Sequence, residues 1–321
     1  MARHASSPAA RTAVVALGGN ALAPSDDESD IYAQFRHTRE SLALVVELVA
    51  QGWRVCIVHG NGPQVGDELV RNEVAIPYAK PLPLGVLVAA TAGWIGYMIQ
   101  QSLENALRRK GLMQCVATVI TQVEVDPDDP ALKNPTKFIG HEVGAGRARQ
   151  LEADGQVLRA DGRGRLRRVV GSPGPRSIHE IETIRALLAA DTVVIAGGGG
   201  GAPVYRHPEL GWEGIDAVVD KDLVAAVMAR DLGAELVVIL TDVDAVYSDW
   251  GKPTQRALRT LTVGEAEQMD RDGTFGEGSM APKVRAALDF VRTTGGRAVI
   301  TELTQGLAAV RGEAGTTFTA S

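Results

Sequence analysis

Short apolar runs alternate with longer amphipathic stretches along most of the chain. Runs rich in Val, Ile, Leu and Ala are typical of strands that are buried on both faces of a parallel sheet. Apolar residues that recur three or four positions apart predict helices. The predicted strands lie at 12–17, 55–58, 115–121, 192–196, 236–241, 297–301 and 316–319. The predicted helices lie at 31–50, 91–109, 178–190, 217–232 and 282–292, and a further one follows the glycine cluster at 60–66.

The alternation of strands and helices predicts an α/β fold in which helices cover both faces of a mainly parallel sheet. Glycines placed just after the last apolar position, such as Gly52, Gly111 and Gly233, predict helix ends. Ser177 and Glu180 have the spacing of a capping box at the start of the helix at 178–190. The prolines between 77 and 90 predict that the next helix begins only at about residue 91.

The composition changes between residues 126 and 170. Residues 126–137 contain too many prolines for a helix or a central strand, and residues 141–170 are rich in Arg and Gly. A turn at 161–164 separates two apolar stretches. We predict a small excursion from the main sheet, built from a hairpin and a helix, whose basic residues form a solvated surface rather than a binding site. Residues 1–11 are predicted to be a disordered tail.

Composition limits the classes of function. The 321 residues are enough for two domains or one large α/β unit. A net charge of -6 and an aromatic content of 4% argue against a nucleic-acid partner. No apolar run reaches the roughly 18 residues that a membrane span needs, which predicts no membrane partner. Cys56 and Cys115 both lie in apolar runs, which predicts buried thiols and a reducing, cytoplasmic location.

Three predicted strands end directly in glycine clusters, at 18–19, 60–66 and 197–201. Because ligands in open α/β sheets bind beyond the carboxyl ends of the strands, these clusters predict an anion site there. The stretch at 197–202 matches Gly-x-Gly-x-x-Ala, but Pro203 follows and no helix pattern begins, which argues against a dinucleotide site. The chain also lacks the Gly-x-x-x-x-Gly-Lys-Ser/Thr sequence of a P-loop.

Three lysines stand out as candidate partners of a phosphate. Lys221 and Lys283 both lie at predicted helix starts, where the helix dipole disfavours a cation unless an anion offsets it. Lys137 ends the sequence Asn-Pro-Thr-Lys. Asp242 and Asp244 follow a strand and could hold Mg²⁺, hydrogen-bond a ribose or cap a turn.

The histidines show no metal-ligand spacing, and no residue is predicted to be a direct metal ligand. His59 could contact a ligand or make a structural hydrogen bond. No nucleophilic triad is apparent, and a direct phosphoryl transfer needs none because it depends on positioning and charge neutralisation.

These segments together resemble the carbamate kinases of the amino acid kinase family over residues 12–319. The matching motifs occur in the family's order and spacing. They are Ala-Leu-Gly-Gly-Asn-Ala at 16–21, His-Gly-Asn-Gly-Pro-Gln-Val-Gly at 59–66, Thr-Gln-Val at 121–123, Asn-Pro-Thr-Lys at 134–137, the glycine run with Pro203 and Val204, Asp-Lys-Asp at 220–222, Ile-Leu-Thr-Asp-Val-Asp at 239–244 and Gly-Ser-Met-x-Pro-Lys-Val at 278–284.

The resemblance implies a three-layer αβα sandwich with a small protruding lid, and a homodimer. An acceptor-binding lobe would span 12–185 and include the lid at 126–170, and a nucleotide-binding lobe would span 186–321. The implied reaction is ATP + carbamate ⇌ ADP + carbamoyl phosphate with Mg²⁺, run in catabolism toward ATP.

The resemblance also assigns roles to residues. Lys221 and Lys283 would neutralise the transferring phosphoryl group, Asp222 would orient them, and Lys137 would arrive with the lid. The acceptor would be held by Gly60 and Asn61, and the path of the phosphoryl group would be lined by Gly19 and Asn20. The implied nucleotide-binding residues are Gly18, Thr241, Asp242, Asp244, Tyr247, Ser279 and Met280.

The chain departs from the family pattern at Ala92, Phe138, His141 and Gly171, all on the acceptor side or its lid. Two alternatives therefore stay open at this point. One is a kinase of the same fold that acts on another small carboxylate-like acid. The other is a nucleotide-binding regulatory protein without turnover.

Overall fold

A computed structural model describes residues 11–22, 30–275 and 280–321, with Asn20 and Ala21 described through their backbone alone. The predicted tail at 1–11 therefore lies outside the described residues except for Arg11, whose guanidinium stacks on the Trp53 ring. The strands within these ranges are β1 (Thr12–Leu17), β2 (Arg54–His59), β3 (Val116–Thr118), β4 (Gln122–Val125), β5 (Lys137–Glu142), β6 (Val157–Ala160), β7 (Leu166–Val170), β8 (Pro175–Ile178), β9 (Val193–Ile195), β10 (Ala202–His207), β11 (Gly211–Gly214), β12 (Leu236–Thr241), β13 (Val246–Ser248), β14 (Arg256–Leu258), β15 (Thr260–Thr262), β16 (Arg297–Glu302) and β17 (Thr316–Thr319).

Helices connect most of the strands of the main sheet. The α-helices within the described ranges are α1 (Gly19–Leu22), α2 (Ile31–Ser41), α3 (Ala43–Ala50), α4 (Gly62–Ala75), α5 (Leu84–Arg109), α6 (Pro130–Lys133), α7 (Ala145–Ala153), α8 (Ile181–Ala189), α9 (Lys221–Leu232), α10 (Val263–Arg271), α11 (Met280–Thr294) and α12 (Gly306–Val310). Single 3₁₀ turns form at Gly198–Gly200 and Leu303–Gln305.

The main sheet has eight strands in the order β15-β17-β16-β12-β1-β2-β9-β3. Its strands pair in parallel except where β17 runs antiparallel to β16. The central strand β1 places Leu17 opposite both His59 of β2 and Leu240 of β12. The carboxyl ends of these three strands therefore meet at one edge of the sheet.

Successive side chains of the central strands pack against different helix layers, because side chains alternate between the two faces of a strand. Val14 and Ala16 belong to one core with residues of α8, α9 and α11, while Val15 and Leu17 belong to a second core with residues of α3, α5 and α12. Helices thus cover both faces, and the predicted α/β class with a mainly parallel sheet between two helix layers is confirmed.

The excursion at 126–170 forms its own three-stranded antiparallel sheet, in the order β5-β7-β6, with α6 and α7 beside it. The predicted turn at 161–164 joins β6 to β7, so the predicted hairpin with a helix is confirmed. We call residues 126–170 the lid. A second four-stranded sheet, β11-β10-β4-β8, lies at its base.

Two predicted helices have different limits in the structure. The helix predicted at 31–50 is interrupted at Leu42, where the hydroxyls of Thr38 and Ser41 bond back to the carbonyls of Gln34 and His37. Such back-bonding bends helices. The helix predicted to begin at about 91 begins at Leu84. Pro83 is its N-cap residue, and the missing proline N–H costs no hydrogen bond there because the N–H groups at a helix start have no intrahelical partner.

The predicted capping box at Ser177 and Glu180 is wrong. Ser177 lies in β8 and donates to Glu124, while the Glu180 carboxylate accepts from the backbone and side chain of Gln122. Both side chains join β4 to its neighbours instead of capping α8. The prediction of two buried thiols is half wrong, because Cys56 is buried in β2 but Cys115 is exposed.

Within residues 11–22, 30–275 and 280–321 no helix is long and apolar enough to cross a membrane. The predicted lobes at 12–185 and 186–321 share the main sheet, since β9 pairs with β2 and β3 and β12 pairs with β1. The division into lobes stays a prediction.

Candidate active site

The candidate site lies where β1, β2 and β12 end. The backbone N–H of Gly60 donates to the Leu17 carbonyl at 3.0 Å, which joins the end of β2 to the end of β1. A Cβ at Gly60 would lie 3.1 Å from the Gly19 nitrogen and 3.2 Å from Lys221 Cδ. The first two glycine corners and Lys221 are therefore in contact, as the shared edge of the sheet predicts.

Two lysines and one aspartate form the centre of this site. Lys221 opens α9, and Asp222 follows it, so both side chains start from the first turn of one helix. Asp222 pairs with Lys221 through Oδ1, and Lys283 Nζ from α11 lies 3.3 Å from Asp222 Oδ2. The side chains of Lys221, Asp222 and Lys283 are only 11%, 3% and 14% exposed. One carboxylate thus bridges two buried ammonium groups.

The pKa values of the two lysines move in opposite directions. Burial lowers the pKa of Lys221, and the nearby Lys283 charge lowers it further against the attraction of Asp222 and Asp220. Burial also opposes the charge on Lys283, but Asp222, Asp220 and Asp242 outweigh it and raise the pKa of Lys283 above its ordinary value. A bound anion would favour the charged form of both lysines.

We call the turn between β2 and α4, at residues 60–61, the acceptor corner, after the role that the resemblance assigns to it. Asn61 is buried and donates from Nδ2 to Thr91 Oγ1 of α5 at 2.9 Å. A Cβ at Gly199 would lie 2.4 Å from Asn61 Nδ2, and Gly199 adopts a left-handed φ of 69°, so both space and backbone conformation require glycine there. The third glycine cluster thus packs against the second.

His59 is completely buried beside this corner. Its Nδ1 lies 3.0 Å from the Gly60 carbonyl oxygen, which selects the tautomer with a proton on Nδ1. Its Nε2 is buried without a hydrogen-bond partner in the described part of the chain. Burial lowers the pKa of His59 to about 4, against the opposing effect of the Gly60 hydrogen bond. Of the two roles that the sequence left open, the structure supports the structural hydrogen bond.

The lid contacts the site at two points. Lys137, the first residue of β5, forms an ion pair with Asp220 Oδ2. The backbone of Gly140 lies against α4 so closely that a Cβ on Gly66 would be 2.0 Å from Gly140 Cα. The lid is therefore closed over the acceptor corner, with the Lys137 ammonium beside the start of α9.

The predicted nucleotide-binding residues that are described lie beside the lysines, at the end of β12 and the start of α11. Thr241 Oγ1 donates to Asp242, and the Tyr247 hydroxyl donates to Asp244 at 2.7 Å. The Tyr247 ring meets the Trp250 ring edge to face at 5.3 Å between centroids. Gly18 lies next to β12, since a Cβ there would be 3.5 Å from the Leu240 oxygen. Met280 begins α11, whereas Ser279 and the Asn20 side chain lie outside the described residues.

The four positions that depart from the family pattern lie in α5, in the lid and just after the lid. Ala92 packs against Gly198, and Gly171 packs against Leu132 of the lid. The Phe138 ring stacks under the Arg167 guanidinium. His141 Nε2 lies 3.3 Å from Asp67 of α4, which raises the pKa of His141 against its partial burial and the Arg167 charge.

Asp220 is the site residue that sequence reasoning did not single out. It is the N-cap of α9, where its Oδ1 accepts from the Asp222 N–H at 2.9 Å. Burial alone would raise the pKa of Asp220, but the ammonium groups of Lys137, Lys221 and Lys283 outweigh it and hold that pKa well below its usual range. The Asp-Lys-Asp sequence carried the signal, since Asp is a preferred N-cap residue.

The described residues contain no cluster of three or more His, Cys, Asp or Glu side chains that could ligate a metal. The donor set of the site is instead cationic and rich in backbone amides. Three ammonium groups beside glycine turns suit a phosphoryl group.

Comparison with known proteins agrees with this geometry. Residues 11–302 match the model of the amino acid kinase family. The chain belongs to the amino acid kinase family.

Within this family the chain is similar to carbamate kinases. It is 40% identical to the carbamate kinase of Pyrococcus horikoshii, over 95% of this chain and 98% of that one. It is 44% identical to the carbamate kinase of Escherichia coli K12, over 95% and 98% of the two chains. The structure of carbamate kinase from Giardia lamblia bound to AMP-PNP superposes with a TM-score of 0.88 at 35% identity, over 97% of this chain and 99% of that one.

Proposed function

We propose that this protein is a carbamate kinase, which transfers a phosphoryl group reversibly between ATP and carbamate to give ADP and carbamoyl phosphate. The observation that carries the proposal is the Lys221–Asp222–Lys283 bridge beside the Gly60 corner. The similarity to carbamate kinases over nearly the whole chain supports carbamate as the acceptor.

In this mechanism a carbamate oxygen attacks the γ-phosphorus of ATP, and the bond from that phosphorus to the β,γ-bridging oxygen breaks. Lys221 and Lys283 neutralise the charge that spreads over the transferring group, and Asp222 keeps the two ammonium groups together. The carbamoyl group is held by Gly60 and Asn61. The path of the phosphoryl group is lined by Gly19 and Asn20. The lid brings Lys137 to the acceptor and excludes water from the site.

The nucleotide binds in this proposal between β12 and α11, bordered by Gly18 and the aromatic pair of Tyr247 and Trp250. Thr241, Asp242, Asp244, Ser279 and Met280 complete its surroundings. Mg²⁺ would be held with the nucleotide, through water, beside Asp242 and Asp244, and would supply charge that neutralises the phosphates. We also propose that the enzyme works in the cytoplasm and toward ATP, in the breakdown of arginine or of other carbamoyl compounds.

The test is ATP formation from ADP and carbamoyl phosphate, with and without Mg²⁺, by the purified protein. We expect turnover that depends on Mg²⁺ and is lost in Lys221→Ala. A panel of other small acids, assayed for ADP formation from ATP, serves as the specificity control. Turnover with another acid but none with carbamoyl phosphate would show that the acceptor is wrong while the kinase chemistry is right.

We also propose that the enzyme is a homodimer. An exposed apolar strip runs along α5 and continues onto the segment after β3, where Val86, Tyr97 and Ile120 are 47%, 58% and 47% exposed. A Cβ on Gly93 would lie 3.7 Å from Ile120 Cδ1, so the strip is continuous. Light scattering should give twice the monomer mass, and Tyr97→Lys should shift the protein toward monomer.

A further inference from the structure

Asp220 makes two different contacts with its two carboxylate oxygens. Oδ1 accepts from the backbone N–H of Asp222 and caps α9, while Oδ2 pairs with Lys137, which lies 83 positions earlier in the chain and on the lid. The Asp220 side chain is 15% exposed and that of Lys137 is 30% exposed. One residue thus joins the helix that carries Lys221 to the lid.

Capping alone does not explain an aspartate at this position. Asn and Ser cap helices about as well as Asp, and neither carries a charge. A carboxylate next to a site for phosphates repels the substrate, so a neutral cap would suit substrate binding better. Among the ammonium groups that act on Asp220, that of Lys137 has the largest effect and alone forms an ion pair with it among the described residues, which gives a reason for a charged residue.

Lys137 also needs a partner to keep its position. The lid is fixed to α4 by the close backbone contact of Gly66 and Gly140, three residues beyond Lys137 on the same strand. That contact places the start of β5 but does not fix the rotamer of the long lysine side chain, and ordering that side chain costs conformational entropy. Asp220 lies where it can select the rotamer that points at α9.

We propose that Asp220 is a positioning residue that holds the ammonium group of the lid residue Lys137 over the acceptor corner, and that the N-cap role is secondary. The inference rests on the proposed function, since it explains how Lys137 meets the anionic end of carbamoyl phosphate. Asp220 does not touch the substrate and acts through Lys137.

The test uses Asp220→Asn and Asp220→Ser, which keep a capping group and remove the charge. Because a misplacement of about 1 Å at a reacting group costs up to roughly 100-fold in rate, we expect kcat/KM for carbamoyl phosphate to fall about 10- to 100-fold. The fall should be equal in both variants, with the melting temperature nearly unchanged. Asp129→Asn is the matched control, because Asp129 caps α6 and accepts only backbone amides among its described bonds, from Ala131 and Gly174. It should retain full activity.

A double-mutant cycle separates positioning from a general effect on the site. In a Lys137→Ala background, Asp220→Asn should cause no further loss, because the group that Asp220 positions is already absent. Losses that multiply in the double variant would overturn the proposal. The same conclusion would follow if Asp220→Asn alone retained wild-type kcat/KM.

A readout that does not depend on turnover keeps the inference distinct from the proposed function. Acetylation of Lys137 by an amine-reactive reagent, measured by mass spectrometry, should be faster in Asp220→Asn than in the wild-type protein and unchanged in Asp129→Asn. An unchanged rate in Asp220→Asn would overturn the inference. Absence of ATP formation by the wild-type protein would instead overturn the proposed function, while the labelling result would still stand.

Discussion

Asp222 shows at the scale of a single residue why the site needs a carboxylate among its lysines. Two ammonium groups as close as those of Lys221 and Lys283 repel each other strongly when buried, because the local dielectric constant is low. The shared carboxylate removes that repulsion while no substrate is bound. In the proposed reaction, an incoming phosphoryl group would then meet two cations that are already in place.

Replacement of Lys221 by alanine should abolish most of the activity. Removal of one cation that stabilises the transferring group costs on the order of 100-fold or more in kcat. Lys283 remains paired with Asp222, so the fold should persist, which circular dichroism would verify. Lys110→Ala is the control, since Lys110 pairs with Glu47 on the surface and should be dispensable. Unchanged turnover of Lys221→Ala would rule out the role assigned to this lysine.

His59 should make the stability of the protein depend on pH between about 6.5 and 4. Burial lowers its pKa from 6.5 to about 4, so the folded protein resists the protonation that the unfolded chain accepts. Stability is therefore complete above pH 6.5 and decreases as the pH falls, by about 3 kcal/mol if the full difference is expressed.

Urea unfolding at pH 7 and pH 4.5 measures this dependence. His59→Asn cannot titrate, and its stability should fall less between the two pH values than that of the wild-type protein. Equal losses in both proteins would show that other groups cause the dependence.

The sequence predicted which residue types meet at the site but could not choose among roles that depend on burial. The glycine corners and the lysines at helix starts were visible as patterns, and the structure brings their described members together. The role of His59 depends on its complete burial, and the partner of Asn61 is Thr91 of α5, which lies 30 positions further along the chain. Local sequence contains no information about such a contact.

At the scale of elements, the lid and α4 meet through both backbone and side chains. The backbones of Gly66 in α4 and Gly140 in β5 approach so closely that no room is left for a Cβ at position 66. Beside this contact, Val65 of α4 and Ile139 of β5 belong to one buried apolar cluster. Arg147 and Arg168 of the lid both pair with Glu73 of α4. Closure of the lid therefore combines a backbone contact that requires glycine with buried apolar and charged contacts.

Gly66→Ala should displace the lid from α4, because the added Cβ would lie 2.0 Å from Gly140 Cα. As Lys137 moves from the site, kcat/KM should fall about 10-fold or more. Alanine favours a helix over glycine by about 1 kcal/mol, but the displaced lid uncovers the buried Val65 and Ile139, so the melting temperature should not rise.

Gly146→Ala provides the control for this experiment. Gly146 lies in α7 of the lid, and a Cβ there meets no atom within 4 Å. This variant should gain helix stability and keep full activity. Wild-type kcat/KM in Gly66→Ala would contradict the importance of the contact.

The errors in the predicted elements have two different causes. The prolines between 77 and 90 predicted a helix start at about 91, but α5 begins at Leu84, directly after its N-cap residue Pro83, because no intrahelical hydrogen bond needs a proline N–H there. Ser177 and Glu180 matched a capping box, yet their side chains bind residues of β4 that lie 53 and 58 positions away. The first error concerns local helix geometry, and the second comes from partners that are distant in sequence.

At the scale of the whole molecule, one sheet joins the proposed acceptor side to the proposed nucleotide side. β1 pairs with β2 on one side and with β12 on the other, and all three are largely buried. In the proposed reaction the acceptor and the nucleotide would therefore meet at a single edge of the sheet. A nucleotide bound at that edge should stabilise the entire fold.

Mg²⁺ with a non-hydrolysable ATP analogue should raise the melting temperature. At about 100 times its dissociation constant, a ligand that binds only the folded state adds about 2.7 kcal/mol, which corresponds to several degrees for a chain of this size. Differential scanning calorimetry would measure the shift. AMP at the same concentration is the control and should shift the melting temperature less, because it lacks the phosphates that meet the lysines. Equal shifts would place the lysines outside the nucleotide site.

The sequence by itself determined the α/β class, most of the central strands, the glycine corners and the three lysines, because each depends on local periodicity or on residue type next to a strand or helix end. Only the tertiary structure decided that Asp222 bridges Lys221 and Lys283, that Asp220 pairs with the lid lysine and that His59 is buried. The Asp222–Lys283 and Asp220–Lys137 pairs join residues that the chain separates by tens of positions. The packing of the sheet and its helices creates them, and no local pattern records how elements pack.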